Sequence, residues 1–430
     1  QEWTGLKSLL ERGVILSRDG HRAIHTDEIE GVSLPIYEGR MVGQFDFSQK
    51  GWLSGRARSA EWRAIPFENK ALEPQYLIGL RNLVSSGNYR QAQRVAIIGI
   101  VSATNSRGLV SSATGRLPAT NVTPILFFED DNLLKTLALS SCLNSYAYDF
   151  AFRSRLGAGV MYANPHILVE NPLVKPDSCS IIAAAAASLT FAHVGFADEW
   201  FHIRSSALWH LHCNWRRAWA VTPRERLRLR CRLDAVVAHL YGLSAEDFGW
   251  VLRDCDHPLD RTRDNAFTRS LYPKGFWRVD KGQPPELRHT VLAQVAFHDL
   301  QAMGLEAFLA QNNGEGWMLP ETLRLSDYGL GHDDRARQPQ PVASQFGDRF
   351  LPWQLNEDVA QSWEECRRHA ENIRAIRSRF APEPAAAAAP ASAPATPPAP
   401  SKPPTMDLLG QPIPTDLFGN ELPPQGRKRK

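Results

Sequence analysis

"TPILFFEDDNLLKTLALSSCLNSYAYDFAFRSRLG" (residues 123–157) changes periodicity within a few residues. Its opening "PILFF" is a short apolar run of the kind that suits a pleated, half-buried surface. Asp130, Asp131 and Asn132 come next, and short acidic or amide side chains there satisfy the free N–H groups that begin a helix. From Leu133 onward the apolar residues occupy more than one face, which predicts a long buried helix. Arg153 and Arg155 near its end, with Gly157 just beyond, are the expected stop signals. Working outward, "RVAIIGIV" (94–101), "PQYLIGLRNL" (74–83) and "SLPIYEGRMVGQFDF" (33–47, turning at Gly39 or Gly43) read as further strands. Strands and helices do not alternate regularly. The expectation is therefore an α+β fold with a mixed sheet and a long buried helix, not a doubly wound one.

Past about residue 177 the pattern becomes helical. In "RERLRLRCRLDAVVAHLYG" (224–242), Leu229, Leu233, Val236, Val237 and Leu240 form one stripe, stopped by Gly242. Ser244 and Asp247 then stand in capping-box spacing. Val359, Trp363, Cys366, Ala370 and Ile373 line a later helix. Four segments follow: a strand-bearing domain over 1–176, a mainly helical domain over 177–380, a disordered Ala/Pro linker over 381–404 and a tail over 405–430. The tail repeats "MDLLGQPIP" as "TDLFGNELP" and ends on "GRKRK". A repeat of this kind suits docking of a protein partner, or serves as an inert cap.

Composition narrows the classes. Apolar content of 43% and charged content of 22% over 430 residues are those of a globular chain. No apolar run reaches the roughly 18–20 residues that span a bilayer, and no signal peptide is visible, so no membrane and a cytoplasmic location are expected. A chain opening on Gln1 says little about what precedes it. Six scattered cysteines fit reduced thiols better than a disulfide scaffold. Net charge is only +3, but ten Lys/Arg against four Asp/Glu lie between Arg40 and Arg107, and eight arginines against one acid between Arg204 and Arg232. That unevenness points to a basic face.

No complete catalytic motif is present: no phosphate-binding P-loop, no HExxH and no GxSxG. "NPHI" and "NPLV" lack the second proline and aromatic that an adenine methyltransferase site needs. In "WHLHCNW" (209–215) His210 and His212 point to opposite sides of a helix, and no distant Cys pair completes a tetrahedral metal site. The polar, lightly basic "SATNSRGLVSSATGRLPATN" (102–121) is either a solvated loop or a surface that grips phosphates. The arginines interleaved with Trp209, Trp215 and Trp219 carry the same two readings.

Several stretches together resemble one family. "SLPIYEGRMVGQFDF", "ATNSRGLVSSATGRLP" and "LNSYAYDFAFRSRLGAGVMYANPHILVENPLV" follow one another as in the C-terminal target-recognition region of large adenine-N6 DNA methyltransferases, the type IIG-like restriction–modification enzymes and the methylases of DISARM-type phage defence. The downstream helical segments are similar to the extension that often follows. The resemblance implies a double-stranded DNA-binding part, with S-adenosylmethionine and base flipping belonging to a catalytic domain or subunit outside these 430 residues. The chain is then a piece of a longer polypeptide, a split subunit or a truncated product, and alone does not methylate. On this reading Arg40, Lys50, Arg56, Arg58, Arg94, Arg107 and Arg153 are phosphate or base contacts, and Ser102, Thr104, Asn105 and Asn164 are polar readers. The family pattern is departed from at Ile98, Gly99, Gly108 and Tyr162. Two rivals remain: a non-enzymatic adaptor that recruits a partner through its helical region and tail, and an enzyme with an unfamiliar active site.

Overall fold

The apolar run from Leu133 does not continue as one helix. The computed structural model describes residues 14–16, 23–85, 92–102, 104–156, 161–163, 165–175, 178–205 and 213–380. In it, one helix spans Leu133–Asn144 and a second spans Tyr146–Arg155. Asn132 caps the first as expected, its side chain accepting the Lys135 N–H at 3.0 Å. Ser145 is extended (φ −78°, ψ 153°), ending one helix and capping the next.

The break has a tertiary cause. The Asn144 amide both accepts the Ser111 N–H at 3.0 Å and donates to the Ser111 carbonyl at 2.9 Å, tying the helix end to a strand. On the other side of Ser145, the Tyr146 N–H donates to Asp234 at 2.8 Å. Two anchors from distant parts of the chain thus redirect it between them. Gly157 lies outside the described residues.

The fold is α+β. Its central sheet has three strands in the order Ile125–Phe127, Arg94–Ile97, Ser111–Gly115. Two-stranded ribbons surround it, among them Lys50–Ser54 with Glu61–Ala64 and Ser33–Pro35 with Leu77–Gly79. The expected mixed sheet is corrected here: every strand pairing among the described residues is antiparallel, and the parallel contact is a lone bridge between Tyr37 and Ala119. Val14–Leu16 with Ala23–His25 and Lys50–Ser54 with Glu61–Ala64 are joined by short connections, which permit antiparallel pairing only. "PQYLIGLRNL" supplies a strand for Leu77–Gly79 and then turns into a helix, Leu80–Ser85.

In the helical part the local signals hold. Pro223–Leu240 is one helix with Leu229, Leu233, Val236 and Val237 buried, and it ends before Gly242 at φ +71°. The Ser244–Asp247 capping box forms. Trp363, Cys366 and Ala370 are buried on the Val359–Phe380 helix, while Val359 at its start is exposed.

One core runs from Phe45 to Ala370, so the expected boundary at 176/177 does not separate two cores. The Leu133–Asn144 helix packs directly on Cys179–Thr190, and buried apolar faces that meet cannot be divided without exposing both. Among the described residues, no helix is long and apolar enough to cross a membrane.

Candidate nucleic-acid interface

The register of the Lys50–Ser54/Glu61–Ala64 ribbon places Trp52 opposite Trp62 and Gly51 opposite Arg63. Register shifts between Trp52 and Ser54, a bulge that leaves Leu53 52% exposed. Gly51 is needed where it stands, since a Cβ there would lie 2.2 Å from a Glu73 carboxylate oxygen. Glu73 in turn pairs with Arg63, whose Nε donates at 3.0 Å.

The loop at the ribbon tip is held by its own hydrogen bonds. Gly55, at φ +75°, offers its carbonyl to the Trp52 indole at 3.0 Å and to Gln75 at 3.2 Å. The Ser59 hydroxyl and N–H both donate to the Arg56 carbonyl, at 2.8 and 3.0 Å. Ala57 adopts φ +50°, a left-handed conformation that strains a residue with a Cβ. These contacts use backbone and serine groups and leave the guanidinium groups of Arg56 and Arg58 outside. Both are exposed, and so are Lys50 and Arg40. None of the four has a carboxylate within ion-pair distance among the described residues. Arg40 donates instead to the Ala60 carbonyl at 3.4 Å and lies 5.9 Å from the Trp62 ring centre.

Trp62 and Ile98 both pack against a small second core of Tyr37, Met41, Val42 and Ala96. The ribbon and the strand leading to residue 102 therefore rest on the same support. Beyond it, Ser102 and Thr104 share a hydroxyl contact at 3.0 Å, and the Asn105 N–H donates to the Ser102 carbonyl at 3.1 Å. Thr104, Asn105 and Ser106 are exposed.

Arg107 and Arg153 sit elsewhere, in the interior. Asp149 is fully buried between them, with Arg107 Nε at 3.2 Å and Arg153 Nε at 3.0 Å. Gly108 N–H lies 3.1 and 3.0 Å from the two carboxylate oxygens. Arg107 also donates to the Asn144 carbonyl, and Arg153 to the carbonyls of Ser106 and Lys274 at 2.9 and 3.1 Å. Aromatic faces cover both, Tyr146 at 4.3 Å from Arg107 and Phe276 at 4.2 Å from Arg153. Groups this engaged do not reach a phosphate, so the expected contact role of both arginines is corrected to one in the core. Arg94 is also buried, on the central strand. Asn164, Trp209, His210 and His212 lie outside the described residues.

Gly99 and Gly108, two of the residues that depart from the resembled pattern, stand where a Cβ would clash. A Cβ on Gly108 would come within 2.4 Å of Asp149, and one on Gly99 within 2.3 Å of the Val122 carbonyl and 2.9 Å of the Tyr162 ring. The two described tryptophans of the Arg/Trp segment, Trp215 and Trp219, are buried core. Its arginines are largely engaged inside the molecule, Arg216 with Glu357 and Glu365, and Arg228 with Glu225. Among the described residues no cluster of three or more His, Cys, Asp or Glu is placed to hold a metal.

Sequence reading missed Arg63, and it missed Asp149 as the partner that takes two arginines inside. For Asp149 a local signal existed, its spacing of four from Arg153 on one helix face. Comparison with known protein families, characterised proteins and solved structures gives no match.

Proposed function

We propose that the chain is a DNA-binding module whose contact element is the 50–64 ribbon. It serves as the target-recognition part of a site-specific adenine-N6 DNA methyltransferase in restriction–modification or phage defence. The observation that carries the binding reading is the group of exposed cations Arg40, Lys50, Arg56 and Arg58 on and beside a hydrogen-bonded ribbon, with no carboxylate at ion-pair distance among the described residues. Unpaired surface cations neutralise phosphates with release of counterions, and a two-stranded ribbon fits the major groove. The exposed Thr104 and Asn105 are the side chains suited to base edges. The methyltransferase assignment rests on the sequence resemblance, with S-adenosylmethionine held by a separate catalytic domain or subunit.

The test is selection from a random duplex pool at low and moderate salt, followed by binding of Arg56→Ala/Arg58→Ala to the enriched site. The double variant is expected to lower the slope of log affinity against log salt by about 2. An unchanged slope, or a pool that enriches nothing, overturns the reading.

An adaptor role is favoured by one observation. Ile100, Tyr162 and Val122 are 72%, 46% and 56% exposed, and Ile100 pairs with Tyr162. Ile100 and Tyr162 are thus neighbouring exposed apolar side chains, and the Val122 backbone lies beside them at Gly99. A catalytic subunit docked there would be released by Ile100→Asp/Tyr162→Asp while duplex binding persists.

A further inference from the structure

A cleft of about 990 Å³ opens in the helical half, bordered by the Cys179–Thr190 and Pro223–Leu240 helices and the 312–316 turn. That volume is within the range of small-ligand sites. One wall is apolar, with Ile181, Leu229, Leu309 and Met318. The same lining is also cationic: it includes Arg217, Arg228, Arg232 and Arg349 against two carboxylates among the described residues, Glu225 and Glu315.

The carboxylates are shared unevenly. Arg228 takes both oxygens of Glu225, at 2.8 and 2.6 Å. Arg349 adds a bond to Glu225 at 2.7 Å and pairs with Glu315. Arg217 reaches Glu315 only at 3.5 Å. Arg232 has no carboxylate within ion-pair distance among the described residues; its Nη1 donates to the Glu315 carbonyl at 3.2 Å. Two positive charges are therefore left over, and they fall on Arg217 and Arg232, which border the same residue. Burial, with the like charge of Arg228 beside it, pushes Arg232 down to about 10.

A tight backbone turn holds this arrangement. Asn312 and Asn313 stand at φ +52° and +58°, left-handed values that asparagine adopts more readily than other residues with a Cβ. The turn they form aims the Glu315 carbonyl at Arg228 and Arg232. Gly316 lies so close to Arg232 that a Cβ would be 3.0 Å from the guanidinium carbon.

We propose that this cleft binds a phosphate monoester of nucleotide size, its phosphate gripped by Arg217 and Arg232 and its organic body laid on the apolar wall. A phosphate monoester carries nearly two negative charges at neutral pH, which matches the surplus. Guanidinium forks match its oxygens two at a time. Two sources share this chemistry, a free nucleotide and the 5′-phosphorylated end of a nucleic-acid strand. The site does not depend on the 50–64 ribbon.

The experiment is calorimetric titration of the full chain with a nucleoside monophosphate, the matching nucleoside, and a short oligonucleotide with and without a 5′-phosphate. The phosphorylated member of at least one pair is expected to bind, and its unphosphorylated counterpart not. Arg217→Gln and Arg232→Gln are each expected to weaken that binding about tenfold or more. Binding of the monophosphate assigns a small-molecule ligand, and binding of the 5′-phosphorylated strand alone assigns a strand end. In the ligand-free protein Arg232→Gln is expected to raise the melting temperature, because it removes a buried cation set beside another; a purely structural arginine would lower it. Arg56→Ala/Arg58→Ala is expected to bind the phosphorylated probe as the native chain does. Absence of binding to every phosphorylated probe, equal binding of the unphosphorylated ones, or binding that both glutamine variants leave intact overturns the proposal.

Discussion

Replacing Asp149 by alanine separates a core role for Arg107 and Arg153 from a DNA-contact role. Asp149 is fully buried and is the acceptor for two guanidinium groups and the Gly108 N–H. Removing it leaves two cations with no other carboxylate at ion-pair distance among the described residues. Breaking a buried pair from one side costs about 3–5 kcal/mol, much of it the penalty of the charge left behind. Arg107→Ala is milder, since Asp149 keeps Arg153 and Gly108; the loss of charge-assisted bonds there is worth about 1.5–3 kcal/mol. The two changes combined are expected to cost less than their sum, with a coupling of about 0.5–3 kcal/mol. Urea unfolding followed by tryptophan fluorescence measures all three. Duplex binding is measured on the same proteins at a temperature where each is folded, and is expected to match the native chain. The reasoning fails if Asp149→Ala costs less than about 1 kcal/mol, or if folded Arg107→Ala loses duplex affinity.

Two further perturbations test other parts of the structure. At Glu225 burial alone would raise the carboxyl, but Arg228 and Arg349 override it and hold it at about 2 against an ordinary 4.5. A lowered folded value adds stability that is complete above the unfolded value and is lost as pH falls from about 4.5 toward 2, on the order of 3 kcal/mol in all. Glu225→Gln should flatten the melting temperature over that window, and an acid limb identical to the native one would contradict the pairing. At Gly99 a methyl group would meet the Val122 carbonyl at 2.3 Å, a backbone atom that cannot turn aside. Gly99→Ala is therefore expected to destabilise by about 1–3 kcal/mol and to detach Tyr162, read as altered tyrosine fluorescence; a neutral substitution would show that the backbone gives way freely.

Much of the helical half was legible because its signals are local. The stripe from Leu229 to Val237, the stop at Gly242 and the Ser244–Asp247 cap each depend on residues within two turns, and each appears as read. The cations Arg40, Lys50, Arg56 and Arg58 were legible as part of a local excess of basic residues, but the ribbon that carries them was not read from the sequence. The roles of Arg107 and Arg153 were not legible. An arginine looks the same in sequence whether it faces solvent or a buried carboxylate; for Arg107 the decision lay with an aspartate forty-two residues on, and for Arg153, whose i,i+4 aspartate was a local signal, with burial under Phe276 far along the chain.

By itself the sequence determined the α+β class, the helices at Pro223–Leu240, Ala245–Val251 and Val359–Phe380, and the uneven placement of charge, because periodicity, caps and composition act over a few residues. Only the tertiary structure decided that one apolar run becomes two helices at Ser145, that the sheets are antiparallel, and that one core crosses residue 176. It also decided which arginines are left for a ligand. Those outcomes depend on which distant groups arrive beside one another, and a buried charge takes its role from the partner it finds.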